Sequence, residues 1–412
     1  MTDPTRPPAS ARRPHRGLLR LPPAAERRPA PRTKARTADS RVRNRALVLA
    51  TLYQQGAMTR SDLVRNSGLT APTVSALVTD LMTGGLVDDI GPREGTRLGK
   101  PASLVRIADD TAGVVALDLS HSDRFTGAVV NLRGRVMARA EVPIGDALGD
   151  EAAALAMRLL DDLMARAPRT VVGVGVGTPG IVDDTGVIRH AAHLGWSDLP
   201  LAGRITERFG APAHIGNDIN MAALAVLRAP DTQAQNLMVV AIEHGVGAGL
   251  VVGGRLVEGG QFAAGEIGHV TVDGGTVGSG DGDAYEDGYG AGGPCVCGRR
   301  GCLDQAISAV QLRARLDAAG ADGRAAVLAA AGRALGTVLA PIVSVLNLNE
   351  VVLTGPSDLV DGALPAAAAE TVRARTLEPI SASLTVRSLA DDTDLVLTGA
   401  ACRVLAAELG VF

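Results

Sequence analysis

The chain of 412 residues has only four cysteines, too few for the disulfide framework that staples small secreted domains. It has no run of about 18 purely apolar residues, which argues against a membrane-spanning helix. The N-terminus is rich in arginine and proline and lacks the apolar stretch of a secretory signal. These absences make a soluble, reducing, cytoplasmic setting the expectation. What is present is 46% hydrophobic and 21% charged residues, a balance that supports a buried core and excludes global disorder. At roughly 150 residues per domain the length predicts two or three domains.

The net charge of −3 conceals an asymmetry. Residues 1–45 hold 13 basic and 3 acidic side chains, a net of +10, against −13 for the remainder. A basic arm on an acidic body suits a protein that meets a polyanion; the alternative is a solvated tail. Residues 1–38 carry many prolines and little apolar periodicity, so they are read as a disordered arm. Order should begin near Ser40.

Residues 39–108 read as a winged helix-turn-helix. Apolar residues from Ala46 to Tyr53 recur at helical spacing. Thr59 caps a short helix, Arg60–Arg65, with Asp62 in its first turn. Gly68 supplies a turn. Thr70 precedes a third helix, Pro72–Thr83, whose proline sits where a missing N–H is harmless. Val74, Leu77, Val78 and Leu81 form its buried stripe, and Gly84-Gly85 ends it. Leu86–Ile90 and Ser103–Ile107 read as strands flanking a basic loop, a wing. In such a module the third helix enters the major groove of DNA. Thr70, Thr73, Ser75 and Thr79 are the candidate groove contacts, and Arg97 and Lys100 in the wing the candidate backbone or minor-groove contacts. The same module can instead serve protein contacts.

From Val114 the pattern changes. Val114–Leu119, Phe125–Asn131 and Val136–Val142 read as short strands, residues 150–166 as a helix, and Val171–Val176 as a buried strand. Ala213–Ile215 leads into helix Met221–Arg228. A second set starts with Leu237–Ile242 and Gly245–Val252, and ends with Val351–Gly355 and a C-terminal helix. Strands alternating with helices in two halves imply an α/β architecture with mixed sheets.

The sharpest local signal is Cys295-Val-Cys297-Gly-Arg-Arg-Gly-Cys302, three thiols within eight residues. With His269 as the fourth ligand the set would make a closed, structural zinc site. The alternatives are a disulfide pair or plain buried thiols. Cys402 stands alone on an apolar helix and reads as core.

These motifs occur in a fixed order: the helix-turn-helix, Gly-Thr-Pro-Gly (177–180), Leu194-Gly195-Trp196, Asn217-Asp218, Glu266-x-Gly-His269 and the thiol cluster. In that order they resemble the ROK family of repressors and sugar kinases, over about residues 41–412. The resemblance implies a two-lobed actin/hexokinase-like (ribonuclease H-like) domain, residues 109–412, around a sugar cleft. It implies sugar binding by Asn217, Asp218, Glu266, His269 and Asp304, with structural Zn2+ held by His269, Cys295, Cys297 and Cys302. A hexose presents vicinal hydroxyls that carboxylates and an amide can pair with. Asn217-Asp218 alone could equally be a helix cap. Family members usually have Glu where this chain has Asp304.

Family kinases carry an Asp-x-Gly-Gly-Thr phosphate loop after the first strand. Here that place reads Asp118-Leu-Ser-His-Ser122, without either glycine, and Gly355-Pro356 replaces a second Gly-Gly pair. Loss or weakening of ATP binding follows, leaving no catalytic residue. The expected function is a sugar-responsive repressor that binds operator DNA as a homo-oligomer, a dimer or tetramer, and responds to a sugar or sugar phosphate. The alternative is an ATP-dependent sugar kinase with a vestigial DNA module and Asp218 as its base. Residues 273–294 hold nine Gly, five acids and no base. They read as an acidic loop that is either inert or gates the cleft.

Overall fold

The computed structural model describes residues 37–92, 102–229, 232–272, 295–390 and 394–411. The basic arm except for Thr37 and Ala38, the wing residues Arg97 and Lys100, and the acidic loop 273–294 therefore lie outside the described residues. The chain forms two units, Met1–Arg43 and Asn44–Phe412. Of the first, the start of one helix is described. The second holds all the other elements.

That helix, α1 (Thr37–Gln55), begins three residues ahead of the expected Ser40. The strand β1 (Met58–Thr59), α2 (Arg60–Ser67) and α3 (Ala71–Thr83) follow, then β2 (Val87–Pro92) and β3 (Ser103–Ile107). Thr59 makes a capping box: its hydroxyl accepts from the Asp62 N–H, and the Asp62 carboxylate accepts from the Thr59 N–H, each at 3.1 Å. Gly68 ends α2 with φ 69°, a left-handed cap that glycine adopts without strain. On α3 the expected stripe Val74, Leu77, Val78 and Leu81 is buried. The hairpin β2–β3 gains a third strand from β1, in the order β1-β3-β2. Two residues are too few for an alternation pattern to reveal that strand.

The rest of the chain repeats one topology. The first half contains β4 (Ala112–Asp118), β5 (Arg124–Asn131), β6 (Val136–Pro143), α4 (Gly149–Arg166) and β7 (Thr170–Thr178). A small sheet of β8 (Ile181–Val182), β9 (Ile188–Ala191) and β10 (Trp196–Leu199) comes next, then α5 (Leu201–Phe209), β11 (Ala213–Asn217) and α6 (Asp218–Arg228). The second half contains β12 (Leu237–Ile242), β13 (Val246–Val252), β14 (Arg255–Val257), α7 (Leu303–Ile307) and α8 (Ala309–Leu346). It continues with β15 (Glu350–Gly355), α9 (Ser357–Val360), α10 (Ala363–Arg375), α11 (Glu378–Ser381), β16 (Thr385–Ala390) and α12 (Leu395–Leu409).

The large sheets run β11-β7-β4-β5-β6 and β14-β13-β12-β15-β16. In each, three strands form an antiparallel meander and two add in parallel. Read from the meander edge, both have the order 3-2-1-4-5. This duplicated mixed sheet is the actin/hexokinase-like arrangement.

Both faces of each central strand are covered, so these strands read as continuous apolar runs. On β4, Val114 and Ala116 face one core, while Val115 and Leu117 face another built on α4 and α5. On β12, Met238 and Val240 pack toward α8 and α10, and Leu237 and Val239 toward α6. The strand β7 shows why its glycines recur at every second residue. A Cβ on Gly175 would lie 2.3 Å from Ala400 O, and one on Gly177 2.2 Å from Val396 Cγ1. One face of β7 is bare so that α12 can lie on it.

The core of the N-terminal helices is not separate. Leu49, Leu52, Leu63 and Val74 belong to the same cluster as Val114, Ala128, Leu405 and Leu409. Arg133 fastens this junction: its guanidinium lies 4.6 Å over the Tyr53 ring, and it donates to Tyr53 O at 2.7 Å and to Asp109 at 3.0 Å. Helix α8 has the length and mean hydropathy of a membrane span, although the sequence shows no unbroken apolar run. Half of its most apolar window is buried, packed by Leu328, Leu335 and Leu339 into the core with α10, so it serves as a core helix.

Candidate functional site

A thiol–histidine cluster lies in the second half, and a polar pocket lies where the two halves of the duplicated fold face each other. After β14 the chain returns along β13. Gly265, at φ +99°, brings its backbone against β13, where a Cβ would be 1.7 Å from Ala248 O. A 3-10 turn, Ile267–His269, then presents the histidine. On the far side of residues 273–294 the chain is sewn back to this segment. Val272 N–H donates to Gly301 O, Leu303 N–H donates to Val270 O, each at 2.9 Å, and Thr271 bridges Cys302. Between Cys295 and Cys302 the backbone closes a tight knuckle, with Cys295 N–H donating to Arg299 O at 2.8 Å.

The result is four ligand atoms, from His269, Cys295, Cys297 and Cys302, all within 4.8 Å of one another. His269 Nδ1 is 3.5 Å from Cys295 Sγ, and the Cys297 and Cys302 sulfurs are 3.6 Å apart. A tetrahedral zinc with bonds of about 2.3 Å to sulfur and about 2.0 Å to nitrogen places its ligand atoms roughly 3.5–3.8 Å apart. The donor set and these two edges fit that ion. All four cysteines are free thiols, so no disulfide competes. The Arg299 backbone N–H and side chain hold the exposed Cys297 thiol down at about 6, whereas burial pushes Cys302 up to about 12. A cation would favour the thiolate at every position. Cys402 lies on α12, apart from the cluster, and burial raises its thiol to about 11.

The pocket is a small cleft of about 20 Å³ that opens to solvent. Gly180, Asn217, Ile219 and Asn220 wall it from the first half, and Gly247, Ala248, Phe262 and Gly265-Glu266 from the second. Of the five expected sugar residues, Asn217 and Glu266 are in this wall; Asp218, His269 and Asp304 are not. Asn217 is also the N-cap of α6. Its Oδ1 accepts from Ile219 N–H at 3.0 Å and Asn220 N–H at 3.1 Å, and its Nδ2 donates to Gly180 O at 3.1 Å. One amide N–H is left for a ligand. Asp304, in the first turn of α7, accepts from Val246 N–H at 2.8 Å. Burial raises its carboxyl, against the smaller opposing effects of the Val246 N–H bond and the nearby His269.

Asp218 is the most perturbed acid. Burial raises its carboxyl to about 8, assisted by the charges of Asp118 and Glu243. The protonated form is therefore favoured on folding, and stability present below pH 4 is lost as pH rises toward 8. Asp218→Asn mimics the neutral acid. It should melt above wild type at pH 9, by a wider margin than at pH 5, in thermal scans at both pH values. A margin that does not change with pH would contradict this.

Asp118 stands where the phosphate loop of a kinase would begin. Its buried carboxylate accepts from Ser120 N–H at 2.9 Å and Ser120 Oγ at 2.6 Å, and lies 3.3 Å from His121 Nε2. That bond to Asp118 raises the His121 imidazole. The loop is thus folded onto its own acid. At the second expected cradle, Gly355 has φ +142° against Ile242 O, and Pro356 contributes no N–H.

On α3, Thr70, Ser75 and Thr79 are exposed and Thr73 is half-buried. The Thr70 and Thr73 hydroxyls bond each other at 2.9 Å, and Thr79 bonds back to Ser75 O at 2.9 Å. Four pocket residues, Ile219, Asn220, Phe262 and Ala264, escaped the sequence reading. Asn220 had a usable signal: a lone amide within the apolar stretch of α6, three residues after Asn217. Phe262 had none.

The profile of the ROK family matches residues 115–405, and the chain belongs to that family. A glucokinase of Halalkalibacterium halodurans is 37% identical over 141 residues, 34% of this chain and 38% of that protein. This chain thus spans well under half of that relative. The DNA-binding transcriptional repressor Mlc of Escherichia coli is 23% identical over 400 residues, 87% of this chain and 92% of that protein. Among solved structures, a ROK family transcriptional regulator, a homolog of the E. coli Mlc protein, has a TM-score of 0.76 at 21% identity. The match covers 90% of this chain and 98% of that one, and at such identity it speaks for the fold.

Proposed function

We propose that this protein is a transcriptional repressor whose ROK domain binds a sugar and thereby releases operator DNA. One observation carries the reading: the N-terminal helices and the first ROK sheet share a single hydrophobic core. A change in the sheet that borders the pocket therefore acts on the helices through packed side chains. The similarity to Mlc, which includes the N-terminal region, supports the same assignment.

In this reading α1–α3 with β1–β3 form a winged helix. Helix α3 enters the major groove, and Ser75 and Thr79, with Thr70 and Thr73 at its start, meet phosphates or base edges. Arg97 and Lys100 in the wing reach the DNA backbone, and a homo-oligomer matches paired half-sites. Asn217, Asp218, Glu266, His269 and Asp304 hold the sugar. Structural zinc on His269 Nδ1, Cys295, Cys297 and Cys302 fixes the ring and frees Nε2 for a hydroxyl. The sugar must bind the DNA-incompetent state more tightly, since equal affinity for both states shifts nothing.

A gel-shift titration tests this. DNA from upstream of the protein's own gene is titrated at several salt concentrations, with and without D-glucose, D-xylose or N-acetyl-D-glucosamine. The expected result is a specific complex that weakens steeply with salt, by about 0.9 log–log units per phosphate contacted, and that one sugar dissociates. A complex indifferent to salt would overturn the DNA reading. The stretch 37% identical to a glucokinase favours a second reading, a sugar kinase with Asp218 as base. Sugar-dependent ATP turnover in the same preparation, abolished by Asp218→Asn, would establish it.

A further inference from the structure

The segment after β14, from Glu258 to Glu266, is anchored at both ends and strained between them. It folds into a tight loop: Ala264 N–H donates to Glu258 O at 3.2 Å, and Phe262 N–H to Gly259 O at 3.4 Å. At its far end Ala248 N–H donates to Gly265 O at 2.8 Å, which holds the loop against β13. In its middle Phe262 has φ +57°. A bulky residue in that left-handed region is an outlier, and such strain gathers at ligand clamps and switching segments. Phe262, Ala264, Gly265 and Glu266 are pocket wall. The cleft measures about 20 Å³, room for roughly one water, so a sugar seated there displaces a wall. The strained loop is the wall with a conformation to relax into.

At its near end the loop is held by an ion pair. Arg403 on α12 donates to the Glu258 carboxylate at 2.8 Å, the two side chains being 24% and 34% exposed. A pair this exposed adds little to stability; what it joins is the more informative property. Leu405 and Leu409 of α12 share a core with Leu49, Leu52 and Leu63 of the N-terminal helices. A Cβ on Gly410, the cap of α12, would lie 2.5 Å from Ala46 Cβ. Arg403 lies within two turns of all three residues.

We propose that the Glu258–Arg403 pair is a strut that couples the pocket segment 258–266 to α12, and through α12 to the N-terminal helices. A ligand that engages Glu266 or displaces Phe262 selects another loop conformation, Glu258 shifts with it, and Arg403 carries the shift along α12. The loop is then the two-state element that both ends of the molecule bias. The strut acts beside the α6–α12 contact, because Glu258 belongs to the second half of the fold and α6 to the first. The inference rests on the repressor reading above and names a contact that transmits the sugar signal.

Fluorescence anisotropy tests it on the full-length, zinc-loaded protein. Affinity for labelled DNA from upstream of the protein's own gene is measured with and without saturating D-glucose, D-xylose or N-acetyl-D-glucosamine. The ratio of the two dissociation constants is the coupling factor, roughly 5–150-fold in allosteric proteins. Glu258→Arg and Arg403→Glu set like charges against each other, and each should lose at least half of that factor on a logarithmic scale. Isothermal titration of the same variants should show that the sugar still binds. The exchanged pair, Glu258→Arg with Arg403→Glu, should restore coupling. Arg403→Met, which keeps the stem and removes the charge, gives the same readout if a reversal does not fold. The His214–Glu408 pair, at 2.8 Å, joins α12 to β11 instead, so Glu408→Ala should couple as wild type does. Single variants with a coupling factor within about 2-fold of wild type overturn the inference, as does a loss of coupling that lost sugar binding explains. An exchanged pair that folds yet stays uncoupled, or Glu408→Ala that uncouples equally, also overturns it. Wild type whose DNA affinity ignores all three sugars overturns the repressor reading itself, and the strut with it.

Discussion

Cys302→Ala should yield protein without bound metal that melts roughly 10 °C or more below wild type, with zinc content read by elemental analysis and melting by calorimetry. The size follows from what Cys302 joins. It is fully buried, precedes α7, and pairs with Thr271 in the strip that joins the His269 segment to the thiol knuckle. Structural zinc contributes about 10–16 kcal/mol to small zinc-finger peptides. Here part of that is recovered, because Ile267, Leu303 and Ile307 pack into the second core with or without the ion. Removal of a buried sulfur by itself leaves only a small cavity, worth about 1 kcal/mol.

A chelator separates these contributions. Wild-type protein treated with chelator should fall by nearly the same amount as Cys302→Ala, and the variant should show no further response. Cys402→Ala, which alters a thiol away from the cluster, should retain full zinc. Loss of the metal also reaches the pocket side. Asp304 lies two residues after Cys302 on α7, and its bond to Val246 N–H ties that helix to β13. A chelated protein that melts like the untreated one would remove zinc from the account.

The thiol–histidine cluster was legible because its chemistry is local: three thiols in one knuckle, with one histidine beyond a gap. The α3 stripe was legible for the same reason, since helical spacing and burial coincide there. What escaped was set by long-range proximity. Strands β8, β9 and β10 have two to four residues, below the length at which alternation is a signal. The glycines of β7 stand out in the sequence, yet nothing local says that α12 is what crosses them. The pocket joins Gly180 to Glu266 across two sheets, so its composition emerges only in three dimensions. Asn217 is ambiguous in the sequence and remains dual in the structure, being a helix cap with one hydrogen to spare. The shared core of the N-terminal helices and the first sheet was also hidden, because a domain boundary drawn by pattern change does not reveal packing across it.

That shared core leads to the second large effect. Gly399, on α12, faces the backbone of α6, where a Cβ would lie 1.7 Å from Met221 O and 2.4 Å from Met221 C. Backbone cannot step aside as a flexible side chain can, so Gly399→Ala must push the two helices apart. Overpacking of this kind costs about 3 kcal/mol or more, which lowers the melting temperature by roughly 4 °C or more in a chain of this size. Gly203 on α5 is the matched control. A Cβ there meets nothing within 4 Å, and its backbone is ordinary helix. Gly203→Ala should therefore stabilise by about 0.5–1 kcal/mol, the usual gain of alanine over glycine in a helix. The same substitution in two helices is thus expected to move stability in opposite directions, and calorimetry of both variants reads the sign directly. The consequence extends beyond stability. Helix α6 starts in the pocket wall with Ile219 and Asn220, and α12 ends against α1, where Gly410 meets Ala46. Spreading α6 from α12 interrupts the packed connection between the pocket and the N-terminal helices. If Gly399→Ala melts no lower than Gly203→Ala, the close crossing is not what orders these helices, and coupling through it loses its structural basis.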